Sequence, residues 1–130
     1  MKLEFCPPQS LTAEQFRLLL LGCQFSGIGE LALAERLVSN RWLAFATDGG
    51  MLAVEKGGSR LFVQSLAIEG FGFRMRKFRD VMDRLASDLG CDTVETTCYD
   101  PRLAKAMMRI RARPESWTMV WQVEGTADGQ

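Results

Sequence analysis

Between Ile68 and Phe78 the chain reads "IEGFGFRMRKF". A run with strand character, Leu61 to Ile68, ends there, and a run with helix character follows. Gly70 and Gly72 sit in the connection, and Arg74, Arg76 and Lys77 crowd its far side. Glycines at a strand-to-helix turn let backbone N–H groups approach a phosphate, and the positive end of the next helix favours an anion. Binding of a phosphorylated ligand is the chemistry this spacing offers. An ordinary basic, solvated connection is the alternative. The charge distribution sharpens the question. Sixteen basic and sixteen acidic residues cancel over 130 residues, but Arg74 to Arg113 holds ten basic and six acidic ones, leaving six and ten elsewhere. A local positive excess in a neutral chain attracts an anion or forms a solvated face.

Histidine is absent, which removes Ser-His and Cys-His nucleophile pairs and every His-containing metal site. The cysteines, Cys6, Cys23, Cys91 and Cys98, form no C-x-x-C pair, so a zinc knuckle is not expected. They read as small buried apolar residues of a reducing cytoplasm. The longest pure apolar run, Leu18 to Leu21, is far too short to span a bilayer.

The elements that must position the turn are legible along the chain. Residues 2–6 alternate as a short strand, and Pro7-Pro8 ends it. Thr12 and Gln15 form a capping box before a helix that runs to about Leu21 and stops near Gly22, with Leu11 and Phe16 as a hydrophobic staple. A second helix over residues 29–40 places Leu31, Ala34, Leu37 and Val38 on one inner face, with Asn40 as its stop. Residues 41–47 and 51–56 are strands of a hairpin around Asp48-Gly49-Gly50. Gly57-Gly58-Ser59 turns the chain into a near-continuous apolar strand, 61–68, that suits a sheet centre.

After the turn, Phe78, Val81, Met82, Leu85 and Leu89 line the inner face of the clearest helix. Arg79, Asp80, Asp83, Arg84, Ser87 and Asp88 take the outer face, and Gly90 ends it. Residues 91–99 form a strand. Asp100-Pro101 opens another helix, with Leu103, Met107 and Ile110 inward and Arg102, Lys105 and Arg109 on a shared basic face. Pro114 closes that region, residues 117–123 alternate as a last strand, and 125–130 is a polar tail. Trp42, Trp117 and Trp121 read as core or strand-pairing residues, with an interface patch at Arg41-Trp42 as the alternative.

The order β-α-α-β-β-β-α-β-α-β resembles the GCN5-related N-acetyltransferase (GNAT) superfamily, an α/β (α+β) fold with a mixed, mostly antiparallel sheet flanked by helices. The likeness covers about residues 1 to 124 as a single domain. "WLAFATDGGMLAVEKGGSRLFVQSLAIEG" resembles the family's hairpin and central strand, whose closing phrase falls on Leu66-Ala67-Ile68. "KFRDVMDRLASDLGCDTVETTCYDPRLAKAMMRI" resembles the cofactor helix, the next strand and the next helix, with Asp100 opening the second junction.

The resemblance implies acetyl-CoA in a gap between strands 61–68 and 91–98. Its thioester carbonyl would bond to backbone N–H near Ile68, and its pyrophosphate to the turn at Phe73, Arg74, Arg76 and Lys77. It implies Glu69 as the base for the amine, with Glu55 as the other carboxylate, and Tyr99 in place of the family's thiolate-protonating tyrosine, whose usual position falls on Met107 or Met108. The family's loop glycines fall on Arg76 and Phe78 in one alignment and on Phe73 and Met75 in another. Those departures imply a second reading, a GNAT-fold binding or structural protein without catalysis, like small tailed-phage accessory and virion products. The expected partner is an unknown amine acceptor or a protein, a second copy included, in the cytoplasm or a virion; neither membrane nor nucleic acid is expected.

Overall fold

The computed structural model describes residues 2–68, 75–97, 113–115 and 118–124. Among them stand seven strands and three α-helices: β1 (Glu4–Cys6), α1 (Ala13–Gly22), α2 (Glu30–Val38), β2 (Leu43–Thr47), β3 (Gly50–Gly57), β4 (Arg60–Ile68), α3 (Met75–Asp88), β5 (Thr93–Thr97), β6 (Arg113–Glu115) and β7 (Thr118–Gln122). The chain falls into two compact units, Met1–Glu55 with Val63–Gly70 and Lys56–Phe62 with Phe71–Gln130. No helix among the described residues is long and apolar enough to cross a membrane.

In the first unit the strands run in the order β1-β2-β3-β4. β1 pairs antiparallel with β2, Phe5 opposite Phe45, and β2 with β3, Thr47 opposite Gly50. α1 starts as the sequence dictates. The Gln15 N–H donates to Thr12 Oγ1 at 3.1 Å, and the Thr12 N–H donates to Gln15 Oε1 at 2.9 Å. This reciprocal box satisfies donors that a helix start leaves free. Leu19, Leu33, Leu37, Trp42, Ala44, Met51 and Ala53 form the core with Cys6 and Cys23, and Leu11 and Phe16 pack on its edge.

Two glycines permit close packing against β4. A Cβ on Gly22 would lie 2.4 Å from Ser65 Oγ and 2.7 Å from the Leu66 nitrogen, so the last turn of α1 needs glycine to rest on β4. A Cβ on Gly50 would lie 1.9 Å from the Ala67 carbonyl oxygen. Gly22 therefore serves packing as well as helix termination. Asn40 takes φ 60°, the left-handed conformation expected just past a helix end.

α2 departs from its expected face. Leu33 and Leu37 are buried, while Leu31 and Val38 point outward. A two-turn helix carries apolar residues on both sides here, so periodicity alone selects no unique inner face. Trp42 is buried, which removes the interface patch expected at that residue.

In the second unit, the opening residues of β4 lead to β5, then β7 and β6. β5 and β7 pair antiparallel, Val94 opposite Trp121. α3 packs Phe78, Met82 and Ala86 inward, and the Phe78 and Trp121 rings meet edge to face at 6.4 Å. Such a contact is worth about 0.5–1.5 kcal/mol beyond area burial. Gly90 ends the helical region at φ 75°.

Two expectations change. Arg79 and Asp83, assigned to the solvent face of α3, are each only 8% exposed. Arg113–Glu115, where Pro114 was expected only to close the region before the last strand, is the strand β6. Among the described residues it pairs with β7 alone, at the end of the strand order, and an edge strand tolerates a residue that lacks an N–H. The helix expected from Asp100-Pro101 lies outside the described residues.

Candidate functional site

α3 opens with Arg76 and Lys77, both exposed, and has no acidic residue in its first turn. The other two helices begin the opposite way, α1 with Glu14 and α2 with Glu30. A helix start carries about half a positive charge, which carboxylates stabilise and cations oppose by about 0.3–1 kcal/mol each. Neither Arg76 nor Lys77 has an ion-pair partner among the described residues. The first turn of α3 therefore concentrates uncompensated positive charge, as an anion site requires. α3 already includes Arg76 and Phe78, and Phe78 is a core residue.

Directly behind that turn, α3 is tied to the end of β7. Trp121 Nε1 donates to Asp83 Oδ1 at 2.9 Å, and Arg79 Nη2 donates to the Gln122 carbonyl at 3.1 Å. Arg79 Nε stands 3.5 Å from Asp83 Oδ2, an ion pair rather than a hydrogen bond, and Nε has no hydrogen-bond partner. Burial pushes the Asp83 carboxyl above its ordinary value. The Trp121 hydrogen bond, the Arg79 charge and the Glu124 backbone N–H oppose that rise without cancelling it. The signal in the sequence was the i,i+4 Arg79–Asp83 spacing, which equally suits a solvated helix face.

In the first unit, the cofactor residues expected on β4, Leu66 and Ile68, are half-buried. The strand is fixed beside them by Ser65, whose Oγ donates to the Leu19 carbonyl at 2.6 Å. Glu55 on β3, the alternative base, is fully engaged. Its Oε2 accepts from Arg41 Nε at 2.9 Å, and its Oε1 accepts from Trp42 Nε1 at 3.1 Å and Gln64 Nε2 at 2.9 Å. Burial pushes this carboxyl up, but the hydrogen bonds from Arg41 and Gln64, the Arg41 charge and the Trp42 indole outweigh it, and the pKa is lowered. A carboxylate so stabilised is a poor proton acceptor. Glu55 is a structural anchor, which corrects its assignment as a candidate base.

Of the remaining expected site residues, Glu69, Phe73, Arg74, Tyr99 and Asp100 lie outside the described residues, as does Cys98. Leu66 and Ile68 belong to the first unit, Arg76 and Lys77 to the second. Cys6, Cys23 and Cys91 are buried free thiols, and burial raises the pKa of Cys23 and Cys91, so these two are poor nucleophiles.

No protein-family model and no curated protein matches this chain in sequence. Solved structures match over most of its length. An IAA acetyltransferase from Bacillus cereus superposes with TM-score 0.67 at 15% identity, over 93% of this chain and 98% of its own. A Bacillus subtilis acetyltransferase, solved in complex with CoA, gives TM-score 0.64 at 20% identity over 88% and 78%. The ribosomal-protein-S18-alanine N-acetyltransferase of Escherichia coli gives 0.62 at 10% identity over 99% of both chains. This is the GNAT fold. Within the GNAT fold the strand-to-helix junction before α3 follows the central strand β4, where the sequence resemblance placed it. Identities this low establish the fold alone, and the neighbours lend no support to a phage origin.

Proposed function

We propose that the chain is an acyl-CoA-dependent N-acyltransferase acting on an amine. One observation carries the reading: among the described residues, α3 alone of the α-helices opens on cations without an ion-pair partner, Arg76 and Lys77, and it is the helix that follows β4. The GNAT fold, and a neighbour of that fold solved with CoA, support a pyrophosphate as the compensating anion. Arginine suits phosphate through its fork of donors, and lysine adds a point charge. Both side chains are solvent-exposed and free to reach a ligand. The CoA thioester would supply the activated acyl group. With Glu55 locked in its own network, the reading assigns amine deprotonation to Glu69 and proton return to the thiolate to Tyr99.

A second reading has its own observation. Met75 is the first residue of α3, and one alignment of the resemblance sets a loop glycine of the family at that position, where glycine would leave the backbone open to a phosphate. CoA would then be held by side chains, without transfer.

Thermal unfolding with CoA and acetyl-CoA tests binding. Saturation at about a hundred times Kd stabilises by about 2.7 kcal/mol. Arg76→Glu with Lys77→Glu should abolish the shift. No shift at millimolar CoA overturns both readings. A shift without thiol release from acetyl-CoA across a panel of amines selects binding without transfer.

A further inference from the structure

We propose that the outer face of α2 is a docking seam for an amphipathic helix of a partner protein, with lysine or arginine along the flanks of that helix. α2 already satisfies the core through Leu33 and Leu37. Its opposite side still presents Leu31 at 88% exposure and Val38 at 71%. They stand seven residues apart, with Ala34 at +3. Spacing of i, i+3, i+7 is the seam of a paired helix, and a small residue at its middle admits close approach. The seam does not end at α2. Val38 also lines a groove of about 470 Å³ with Phe5, Pro7, Pro8, Gln9 and Asn40, and Phe5 is 47% exposed. Val38 therefore belongs both to this face of α2 and to the groove walled by Pro7 and Pro8, and all of these residues belong to the first unit.

Charge selects the occupant. With Leu31 and Val38 at the a positions of a heptad and Ala34 at d, Glu30 falls at g and Glu35 at e. Both are exposed and neither forms an ion pair within 4 Å among the described residues, although Glu35 lies within the field of the Arg41 charge. The arginines nearby are engaged. Arg41 pairs with Glu55 at 2.9 Å, and Arg36 lies over the Trp42 ring at 5.3 Å. A second copy would bring Glu35 against Glu35 in an antiparallel pair and Glu30 against Glu35 in a parallel one. Both arrangements set like charges together, which selects against self-pairing. A helix with basic residues at its own e and g positions meets both glutamates with opposite charge and buries Leu31 and Val38.

The test uses the full chain and three labelled peptides of about three heptads, each stapled on its outer face. One has Leu at a and d with Lys at e and g, the second has Glu at e and g, and the third scrambles the first. Fluorescence anisotropy should show saturable one-to-one binding of the Lys peptide, weakened by salt. The Glu and scrambled peptides should bind at least about tenfold more weakly. Leu31→Asp and Val38→Asp should each reduce binding by about tenfold or more with unchanged thermal unfolding, since both side chains are exposed. The double variant Glu30→Lys, Glu35→Lys should reverse the preference toward the Glu peptide. Failure of the Lys peptide to bind, or an unchanged preference in the double variant, overturns the proposal. So does a dimer in sedimentation velocity that Leu31→Asp converts to monomer, which would make the occupant a second copy.

Discussion

Glu55 in the first unit and Asp83 in the second are built from the same parts and behave oppositely. Each accepts an indole N–H, from Trp42 at 3.1 Å and from Trp121 at 2.9 Å. Each faces an arginine, Arg41 or Arg79. Yet the pKa of Glu55 is lowered and that of Asp83 raised. Burial works upward at both sites. Glu55 overcomes it because Arg41 and Gln64 add directed hydrogen bonds and its side chain keeps 20% exposure. Asp83 is deeper, and its arginine approaches at 3.5 Å without a good hydrogen bond. A partner's charge compensates desolvation only when geometry is good and remaining lone pairs are filled. The first arrangement fastens a strand face; the second holds α3 against the β7 end at some electrostatic cost.

The largest expected effect follows from removing one member of the buried pair. Asp83→Ala leaves the buried Arg79 only the exposed Glu124 at 3.8 Å and leaves the Trp121 N–H without its acceptor, so stability should fall by about 3 kcal/mol in urea unfolding. The double variant Arg79→Met, Asp83→Leu should recover most of that loss, because an apolar pair of similar volume removes the desolvation penalty altogether. If the double variant is no more stable than Asp83→Ala, the pair contributes something other than balanced charge, and the contrast with Glu55 fails.

Glu55 should respond more mildly. Glu55→Ala leaves the Trp42 N–H and the Gln64 amide short of an acceptor, a loss of about 1–3 kcal/mol. Glu55→Gln keeps an acceptor for the indole and loses only the pairing with Arg41, which is mostly exposed, so about 1 kcal/mol or less is expected. Equal losses for the two substitutions would mean that charge rather than acceptor geometry holds the site.

These two carboxylates also mark how far the sequence could be read. The order of the elements from β1 to β5, the Thr12–Gln15 box and the β2–β3–β4 run were legible because local patterns determine them. The buried side of α2 was not, since Leu31, Leu33, Leu37 and Val38 satisfy two different faces and only tertiary packing chooses. Arg79 and Asp83 were read as solvent-facing for a related reason: an i,i+4 ion pair has the same letters whether water or Trp121 covers it. β6 carried no signal because three residues around a proline match no strand pattern. Of the candidate region, what was legible is the placement of Arg76 and Lys77 in the opening turn of the helix that follows β4. The role of Glu55 was not, because its three donors come from residues 9 to 14 positions away in sequence.

The smallest effect is also the most direct test of the contrast, because it depends on sign rather than size. A lowered pKa means that Glu55 contributes stability above its unfolded value of 4.5, and that this is lost as pH falls through the folded pKa. A raised pKa means the reverse for Asp83. Its protonated form favours the folded state, a contribution complete below 3.8 and lost as pH rises through the folded pKa. Stability should therefore be measured from pH 7 down to about 3.5 for the unaltered chain, Glu55→Gln and Asp83→Asn. The advantage of the unaltered chain over Glu55→Gln should shrink toward acid, while its standing relative to Asp83→Asn should improve. Neither slope can exceed about 1.4 kcal/mol per pH unit, the limit for one proton. Slopes of the same sign would show that the two indole-bound carboxylates share one electrostatic character after all.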